Sequence, residues 1–238
     1  MTEMLFLKDS YLKEFDATVK EVNGKFIVLD RTAFYPQGGG QPCDTGELAA
    51  SDGTRYNVLF AKKISGNVSH EVDKDGLQAG DLIKGKIDWE KRHRFMRYHT
   101  AAHILSAVVH KETGAKISGN QITPEKARID FNLEKFDRDK IERYANQTNE
   151  IISQNLPIDI EEMTREKAFK IPAIVKLKML LPESIKQIRV VTISGIDQQA
   201  CAGTHVSNTK EIGPIEVIKA ENKGANNRRI YFILKRKS

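Results

Sequence analysis

Two short motifs in the second half of the chain contain the residue types that bind transition metals. His99 and His103 are four residues apart in a segment with helical periodicity, which places them on one helix face, about 6 Å apart. Far downstream, the segment CAGTH puts Cys201 and His205 four residues apart in a predicted loop. Thiolate and imidazole are ligands that Zn²⁺ prefers, and four of them satisfy its tetrahedral coordination. The sequence therefore predicts one zinc site built from both motifs.

Each motif alone has a simpler interpretation. A histidine pair at this spacing is commonly a partly buried helix face, and a lone cysteine is commonly a small buried hydrophobic residue. The conjunction favours a metal site, because three of the six histidines and one of the two cysteines fall into these two spacings. Zinc protease chemistry is not supported, because Thr100 stands where such proteases carry a glutamate. A nucleophilic Cys201 is the minor alternative.

The coordination number of the predicted site is an open question. Four protein ligands form a closed, structural zinc site, whereas a catalytic ion keeps one position open. We expect three firm ligands, with either Cys201 or His205 exchangeable. The identity of the metal rests on ligand type alone, so iron and cobalt stay open beside zinc.

The elements that position these motifs change character at residues 85–90. Before Asp88, short β-branched segments separated by Asn-Gly, Asp-Gly and Gly-Asn turn signals predict a small barrel. From Asp88 to Glu112 apolar residues recur every three or four positions, which predicts a helix that Gly114 ends. Strands and further helices follow. We predict two domains: a β-barrel domain with a Gly-rich loop at residues 1–87, and an α+β zinc-containing domain at 88–238, with helices packed on a largely antiparallel sheet.

The composition restricts the class of protein. Of 238 residues, 39% are apolar, which is enough for a folded core. Two cysteines cannot build a disulfide-rich secreted scaffold, and no apolar run approaches the roughly 18 residues of a membrane helix. Charged residues interrupt the first ten positions, so no signal peptide is expected. We predict a cytoplasmic protein without membrane contact and leave its oligomeric state open.

Positive charge is concentrated in the second part of the chain. Residues 1–87 contain 11 basic and 13 acidic side chains, a net charge of −2. Residues 88–238 contain 27 basic and 19 acidic side chains, a net charge of +8. This excess favours a polyanionic partner such as nucleic acid. A solvated surface rich in lysine gives the same signal, so the charge alone does not decide.

Three segments resemble a known family. HTAAH at 99–103 and VVTISGIDQQACAGTHVSNTKEIG at 190–213 resemble the editing domain of alanyl-tRNA synthetase. TAFYPQGGGQPCDTGEL at 32–48 resembles the Gly-rich signature of the family's amino-terminal barrel. No segment resembles the aminoacylation domain, and a barrel followed by an editing domain is similar to the medium-length class of free-standing AlaX proteins. The resemblance covers nearly the whole chain.

The resemblance implies a trans-editing hydrolase, which cleaves the ester between alanine tRNA and a wrong amino acid, chiefly serine and sometimes glycine. It implies zinc as cofactor, mischarged alanine tRNA as partner and no DNA. The implied metal ligands are His99, His103, Cys201 and His205. Asp197 precedes the CAGTH loop, and this position makes it a candidate for a hydrogen bond that supports a ligand histidine. Candidates for substrate binding are Thr32, Gly39, Gly40, Gln41, Asn120 and Gln121. Candidates for tRNA contact are Arg92, Arg94, Arg97, Lys223, Arg228 and Arg229.

Simpler interpretations of these residues stay open. Asn120 and Gln121 are equally consistent with a solvated turn, and the glycines at 38–40 are consistent with a plain turn. Asp197 is equally consistent with a residue that caps a turn. Two other functions also stay open. One is a zinc-dependent hydrolase of another small ester, and the other is a tRNA-binding module whose zinc is structural.

Overall fold

The structure, a computed structural model, describes residues 1–134, 138–175, 183 and 185–235. Two compact units can be distinguished along the backbone. The first comprises Met1–Met96 with Ile122–Pro124, and the second comprises Arg97–Gln121 with Glu125–Ser238. The domain bounds 1–87 and 88–238 stay a prediction.

The first unit is built from strands. They are β1 Glu3–Met4, β2 Glu14–Asn23, β3 Phe26–Leu29, β4 Arg31–Thr32, β5 Gly46–Ala50, β6 Arg55–Ile64, β7 Asn67–Val72 and β8 Leu82–Ile87. Six of them close a barrel in the order β2-β3-β7-β6-β5-β8, and β1 pairs in parallel with β4. The small barrel predicted for this part of the chain is confirmed.

The barrel core follows from the period-two pattern of its strands. In β2, the buried side chains Phe15, Ala17 and Val19 alternate with more exposed ones. Phe15 meets the buried Phe34 edge to face, with ring centroids 5.8 Å apart. Gly24, at φ +55°, forms the tight turn from β2 to β3.

The second unit combines helices and strands. Helix α1 Trp89–Thr113 belongs to this unit from Arg97 onward, and strand β9 Ile117–Ile122 belongs to it as far as Gln121. The other elements are β10 Ala127–Phe131, α2 Arg138–Ser153, β11 Ile158–Thr164, α3 Arg165–Ala168, α4 Pro172–Val175, β12 Gln187–Ile193, β13 Asp197–Ala200, β14 Ile215–Asn222 and β15 Arg228–Leu234. One sheet has the order β14-β15-β10-β9, and another has the order β11-β12-β13. The β10–β15, β14–β15, β11–β12 and β12–β13 pairs are antiparallel, which agrees with the predicted sheet type.

The long helix begins and ends where the sequence predicts. The carboxylate of Asp88 accepts a hydrogen bond from Lys91 N at 3.1 Å, which caps the first turn of α1. At the other end, Gly114 has φ +70° and donates its N–H to His110 O. None of the described helices is long and apolar enough to cross a membrane.

Helix α2 lies against β14. The Asn149 side chain accepts from Ile215 N at 2.8 Å and donates to Ile215 O at 3.0 Å. Tyr144 and Ile152 of the same helix are buried and form its apolar face.

Two strands of the second unit were not predicted. β13 consists of polar residues, and β9 contains Ser118, Gly119 and Asn120, which have low intrinsic preference for strands. Both occur as the last strand of their sheets, beside strands of more apolar sequence. Pairing with a neighbouring strand outweighs local propensity at these positions.

Candidate metal centre

The first two ligand candidates lie one turn apart on α1. His99 and His103 are 7% and 8% exposed, and their ring centroids are 5.2 Å apart. Because 3.6 residues make one helical turn, both imidazoles project from the same face. The predicted placement of these two side chains on one face is confirmed.

The other two candidates lie in the loop that follows β13. Cys201 N donates to Arg189 O on β12 at 3.1 Å, which continues the strand pairing into the loop. The buried guanidinium of Arg189 donates from Nη1 to Cys201 O at 2.6 Å and to Gly203 O at 2.9 Å. Gly203 N also lies 3.4 Å from Cys201 Sγ. These contacts fix the bend that brings Cys201 and His205 to the same side.

The four side chains converge on one point. One nitrogen from each of the three histidines and the Sγ of Cys201 all lie within 4.8 Å of one another. Cys201 Sγ is 3.5 Å from His99 Nε2 and 3.3 Å from His205 Nε2. Usual zinc bond lengths in a tetrahedron put sulfur and nitrogen ligands about 3.5 Å apart. The two distances from Cys201 Sγ match this value, and the four side chains could hold a single metal ion.

Neighbouring side chains orient two of the imidazoles. His103 Nδ1 is 2.9 Å from Asp197 Oδ2, and Gln199 Nε2 donates to Asp197 Oδ1 at 2.9 Å. His205 Nδ1 is 3.1 Å from Thr100 Oγ1. A carboxylate can only accept, so Nδ1 of His103 carries the proton, and its Nε2 lone pair is left for a metal.

The electrostatics of the cluster favour a thiolate. Burial alone would raise the pKa of the Cys201 thiol, but the charges of His99 and His205 and hydrogen bonds with His103 and His205 bring it well below its usual range. Burial alone would lower the pKa of His103, but hydrogen bonds with Asp197 and Cys201 raise it to about 10. Burial and the nearby His99 lower the pKa of His205 to about 3. Without metal, His103 is therefore an imidazolium beside the Cys201 thiolate. It loses its Nε2 proton when metal binds, because thiolate and neutral imidazole are the forms that coordinate metal.

Thr32, a predicted substrate contact, lies at the end of β4 in the first unit. It is fully buried, its hydroxyl is 2.9 Å from His70 Nε2, and it accepts from Phe34 N at 3.1 Å. His70 Nδ1 lies 3.0 Å from Ile27 O, so Nδ1 donates and Nε2 accepts the Thr32 proton. Burial lowers the pKa of His70 to about 4, which keeps the ring neutral. Contact between Thr32 and substrate stays a prediction.

The Gly-rich segment is a tight two-residue turn. Gly38 N donates to Gln41 O at 3.1 Å, and Gln41 N donates to Gly38 O at 2.9 Å. Gly39 and Gly40, between them, have φ of +58° and +82°, which glycine adopts without strain. The side chain of Tyr35 donates to Gly38 O at 3.0 Å. The role of this turn in substrate binding stays a prediction.

Asn120 and Gln121 lie in strand β9. The solvated turn that the sequence also allowed at these two positions is not formed. Both are exposed, and Gln121 Oε1 accepts from Arg128 Nε at 3.0 Å. Their contact with substrate stays a prediction.

Arg92, a predicted tRNA contact, lies in the interior of the first unit. Its guanidinium is fully buried and bonds both carboxylate oxygens of Asp44. Its Nη1 donates to Ser10 O at 2.9 Å, and its Nη2 donates to Ala33 O at 2.5 Å. These contacts leave no surface for a phosphate, so we do not include Arg92 in the proposed RNA-binding set.

The other predicted RNA contacts differ in exposure. Arg228 is buried and donates to three backbone carbonyls of the β14–β15 turn. Arg229 is paired with a carboxylate on β10 at 2.6 and 2.8 Å, and Arg97 Nε donates to a backbone carbonyl at 2.8 Å. Arg94 and Lys223 are exposed. Because Arg228 is buried, we do not include it in the proposed RNA-binding set. Contact of Arg94, Arg97, Lys223 and Arg229 with RNA stays a prediction.

Two residues that support the cluster were missed from the sequence. The sequence marks Thr100 only as the position where a zinc protease has glutamate, but its hydroxyl contacts His205. Arg189 was not singled out, although a cation inside the apolar strand β12 indicates a buried, hydrogen-bonded side chain. That signal could have found Arg189, whereas the partner of Thr100 depends on the tertiary fold.

Comparison with known proteins gives matches along the chain. Residues 188–231 match the family described as threonyl and alanyl tRNA synthetase second additional domain, and residues 3–91 match class II (A) tRNA synthetases. The alanyl-tRNA editing protein AlaX-M of Methanosarcina barkeri is 48% identical, over 98% of this chain and 99% of the relative. That of Saccharolobus solfataricus is 46% identical, over 99% and 100%. An alanine–tRNA ligase of Ignicoccus hospitalis is 39% identical, over 91% of this chain but only 24% of the ligase.

Proposed function

This chain belongs to the AlaX-M family of alanyl-tRNA editing proteins, and we propose that it hydrolyses the ester of mischarged alanine tRNA at a zinc centre. The chief substrate is seryl-tRNA for alanine, and glycyl-tRNA for alanine is the second candidate. The observation that carries this proposal is the convergence of His99, His103, Cys201 and His205 in a chain that matches editing proteins over nearly its full length.

The physical need for a second site comes from the limits of the first. A synthetase pocket that accepts alanine cannot exclude the smaller glycine by size, and it rejects an added hydroxyl only moderately. A hydrolytic site that bonds the serine hydroxyl discriminates against alanine, because alanine would leave buried polar groups without partners.

The residues of the centre have separable tasks. Zinc, when bound, supplies Lewis acidity for ester hydrolysis. Asp197 accepts the Nδ1 proton of His103, and the hydroxyl of Thr100 contacts Nδ1 of His205 and orients its ring. Arg189 holds the loop that contains Cys201 in place. Three firm ligands and one exchangeable ligand, Cys201 or His205, would leave a position for substrate.

The remaining predictions belong to the same proposal. Substrate binding is assigned to Thr32, Gly39, Gly40, Gln41, Asn120 and Gln121. Contact with tRNA is assigned to Arg94, Arg97, Lys223 and Arg229. We further propose a cytoplasmic location, and an α+β domain at residues 88–238 whose helices pack on its sheets.

Deacylation assays test this function. Purified protein is incubated with seryl-, glycyl- and alanyl-tRNA for alanine, with and without a chelator. We expect loss of the seryl ester, retention of the alanyl ester, and no hydrolysis after chelation or in His99→Ala. His93→Ala, outside the cluster, is the matched control and should stay active.

Two outcomes would contradict the proposal. Hydrolysis of the alanyl ester at the same rate would indicate an unspecific esterase. Binding of tRNA without hydrolysis of any ester would indicate a tRNA-binding module. Four nitrogen and sulfur ligands also fit a structural zinc site, as such a module would have.

A further inference from the structure

The four-stranded sheet has a polar face, which we call the outer sheet face. Antiparallel partners share a face: Asp130 lies opposite Arg229, which lies opposite Glu221. In the next row, Tyr231 lies between Arg128 on β10 and Lys219 on β14. On β10 and β15, the residues that alternate with these, such as Ile230, are buried in the core on the other side. The outer sheet face consists of Arg128, Asp130, Lys219, Glu221, Arg229 and Tyr231, with Lys126 and Lys223 at its ends.

Cations outnumber carboxylates on the outer sheet face. Asp130 is bonded by Arg229 at 2.6 and 2.8 Å and by Arg128 at 2.7 Å. Glu221 is paired with Lys219 and, at 2.7 Å, with Lys223. With Lys126, five positive groups face two negative ones, an excess of three. A further pair at the sheet edge, Glu216 and Lys235 at 3.6 Å, leaves this excess unchanged.

The excess positive charge surrounds an aromatic ring. The Nζ atoms of Lys126 and Lys219 are 5.3 and 5.9 Å from the centroid of Tyr231, and the guanidinium carbon of Arg229 is 5.9 Å away. Like charges gathered around one ring repel each other, and a bound polyanion relieves that repulsion. In RNA-recognition modules built on an open sheet, bases stack on aromatic rings of the sheet while basic side chains contact phosphates.

The two arginines are held in fixed orientations. Arg128 donates from Nε to Gln121 at 3.0 Å and from Nη1 to Asp130, and Arg229 donates two bonds to the same carboxylate. A Cβ at Gly119 would lie 3.0 Å from Asp130 Oδ2, so a side chain there would crowd the carboxylate. A planar guanidinium fixed in this way loses little further freedom when it meets a phosphate.

We propose that the outer sheet face binds the sugar–phosphate backbone of the tRNA substrate, with Tyr231 as a stacking surface. This inference rests on the proposed function, since it takes RNA as the substrate. It adds Lys126, Arg128, Lys219 and Tyr231 to the residues that meet RNA.

Binding of labelled, uncharged alanine tRNA tests the proposal at several salt concentrations. Lys126→Gln and Lys219→Gln should each lower the slope of log affinity against log salt by about 0.7–0.9 for each phosphate that the side chain no longer neutralises. Tyr231→Ala should weaken binding at least about fivefold, and Tyr231→Phe, which keeps the ring, should bind like the parent protein. Lys20→Gln, at an exposed position of the barrel, is the control for charge alone. Thermal melts establish that each variant is folded.

A second assay separates this proposal from the proposed function. With seryl-tRNA, kcat/KM should fall in the lysine variants, while hydrolysis of 3′-O-seryl-adenosine should stay unchanged because it lacks the polynucleotide. If the parent protein hydrolyses neither substrate, the proposed function fails, and tRNA binding still decides the role of the face.

Equal tRNA affinity and salt slope in the parent, Lys126→Gln and Lys219→Gln proteins would overturn the proposal. Equal tRNA affinity of parent and variants, combined with altered sedimentation of the variants, would also overturn the proposal. That result would identify the outer sheet face as a surface that contacts protein rather than RNA.

Discussion

At the residue scale, the histidines of the centre differ in the groups that support them. Asp197, itself bonded by Gln199, contacts His103, whereas a neutral hydroxyl, that of Thr100, contacts His205. A carboxylate partner raises the basicity of an imidazole more than a hydroxyl does. His103 is therefore expected to be the more strongly bound ligand of the two, which agrees with an exchangeable position at His205 or Cys201.

Asp197→Asn should weaken metal binding about 10- to 100-fold, because a neutral amide replaces the carboxylate that accepts the Nδ1 proton of His103. Competition with a zinc-binding dye measures the affinity. The control is Gln198→Ala on the same strand, where the side chain bonds Thr192 rather than a ligand. Unchanged affinity in Asp197→Asn would show that the carboxylate does not support the site.

His70 should make stability depend on pH. Its folded pKa of about 4 lies below the ordinary histidine value of 6.5, so between these values the unfolded chain binds a proton that the folded chain does not. The stability contributed by neutral His70 is present above pH 6.5 and is lost as pH falls toward 4. Between pH 7 and pH 5 this loss amounts to about 2 kcal/mol.

Urea unfolding of the parent protein and of His70→Gln at both pH values isolates this contribution. The parent should lose about 2 kcal/mol more than the variant over this interval, because other titrating groups act equally in both proteins. Equal losses would mean that His70 titrates alike in the folded and unfolded chains.

At the element scale, the sequence predicts what depends on local patterns. The start and end of α1, the shared face of His99 and His103, and the alternation in β2 follow from periodicity and caps. β13 and the buried Arg189 are not predicted in this way, because a polar strand and a buried cation depend on partners distant in the chain. The approach of Cys201 to His99 was inferred from ligand chemistry rather than from any pattern of elements.

The Gly-rich turn offers a matched pair of substitutions. A Cβ at Gly38 or at Gly39 would meet the Tyr35 hydroxyl at an ordinary distance of 4.0 or 3.9 Å, but only Gly39 has a left-handed backbone, with φ +58°. Gly39→Ala should therefore destabilise the protein by about 1–2 kcal/mol, and Gly38→Ala by less than about 0.5 kcal/mol. Chemical denaturation measures both. Equal effects would indicate that contacts, rather than backbone conformation, select glycine at this turn.

At the scale of the whole molecule, the sequence predicted a β-barrel, largely antiparallel sheets and a joint metal site, and the structure contains the first two with a cluster that fits the third. The uneven charge predicted a polyanionic partner without locating its surface. The exposure of each basic side chain decides which surface can bind a polyanion. Arg92 and Arg228 count toward the net charge of the sequence, but they are buried in the fold. Burial of a cation depends on tertiary partners such as Asp44, so composition alone cannot assign a binding surface.

Metal binding should stabilise the whole chain, because the ligands His99 and Cys201 are 102 residues apart and come together only in the folded protein. Zinc at 100 times its dissociation constant should add about 2.7 kcal/mol, which corresponds to a rise in Tm of roughly 5–10 °C for a chain of this size. Differential scanning calorimetry of chelated and zinc-loaded protein measures the shift. It should vanish in His99→Ala and persist in His93→Ala, because His93 stacks on Trp89 and lies outside the cluster. An equal zinc-induced shift in His99→Ala would place the bound ion elsewhere and remove the basis for assigning hydrolysis to this centre.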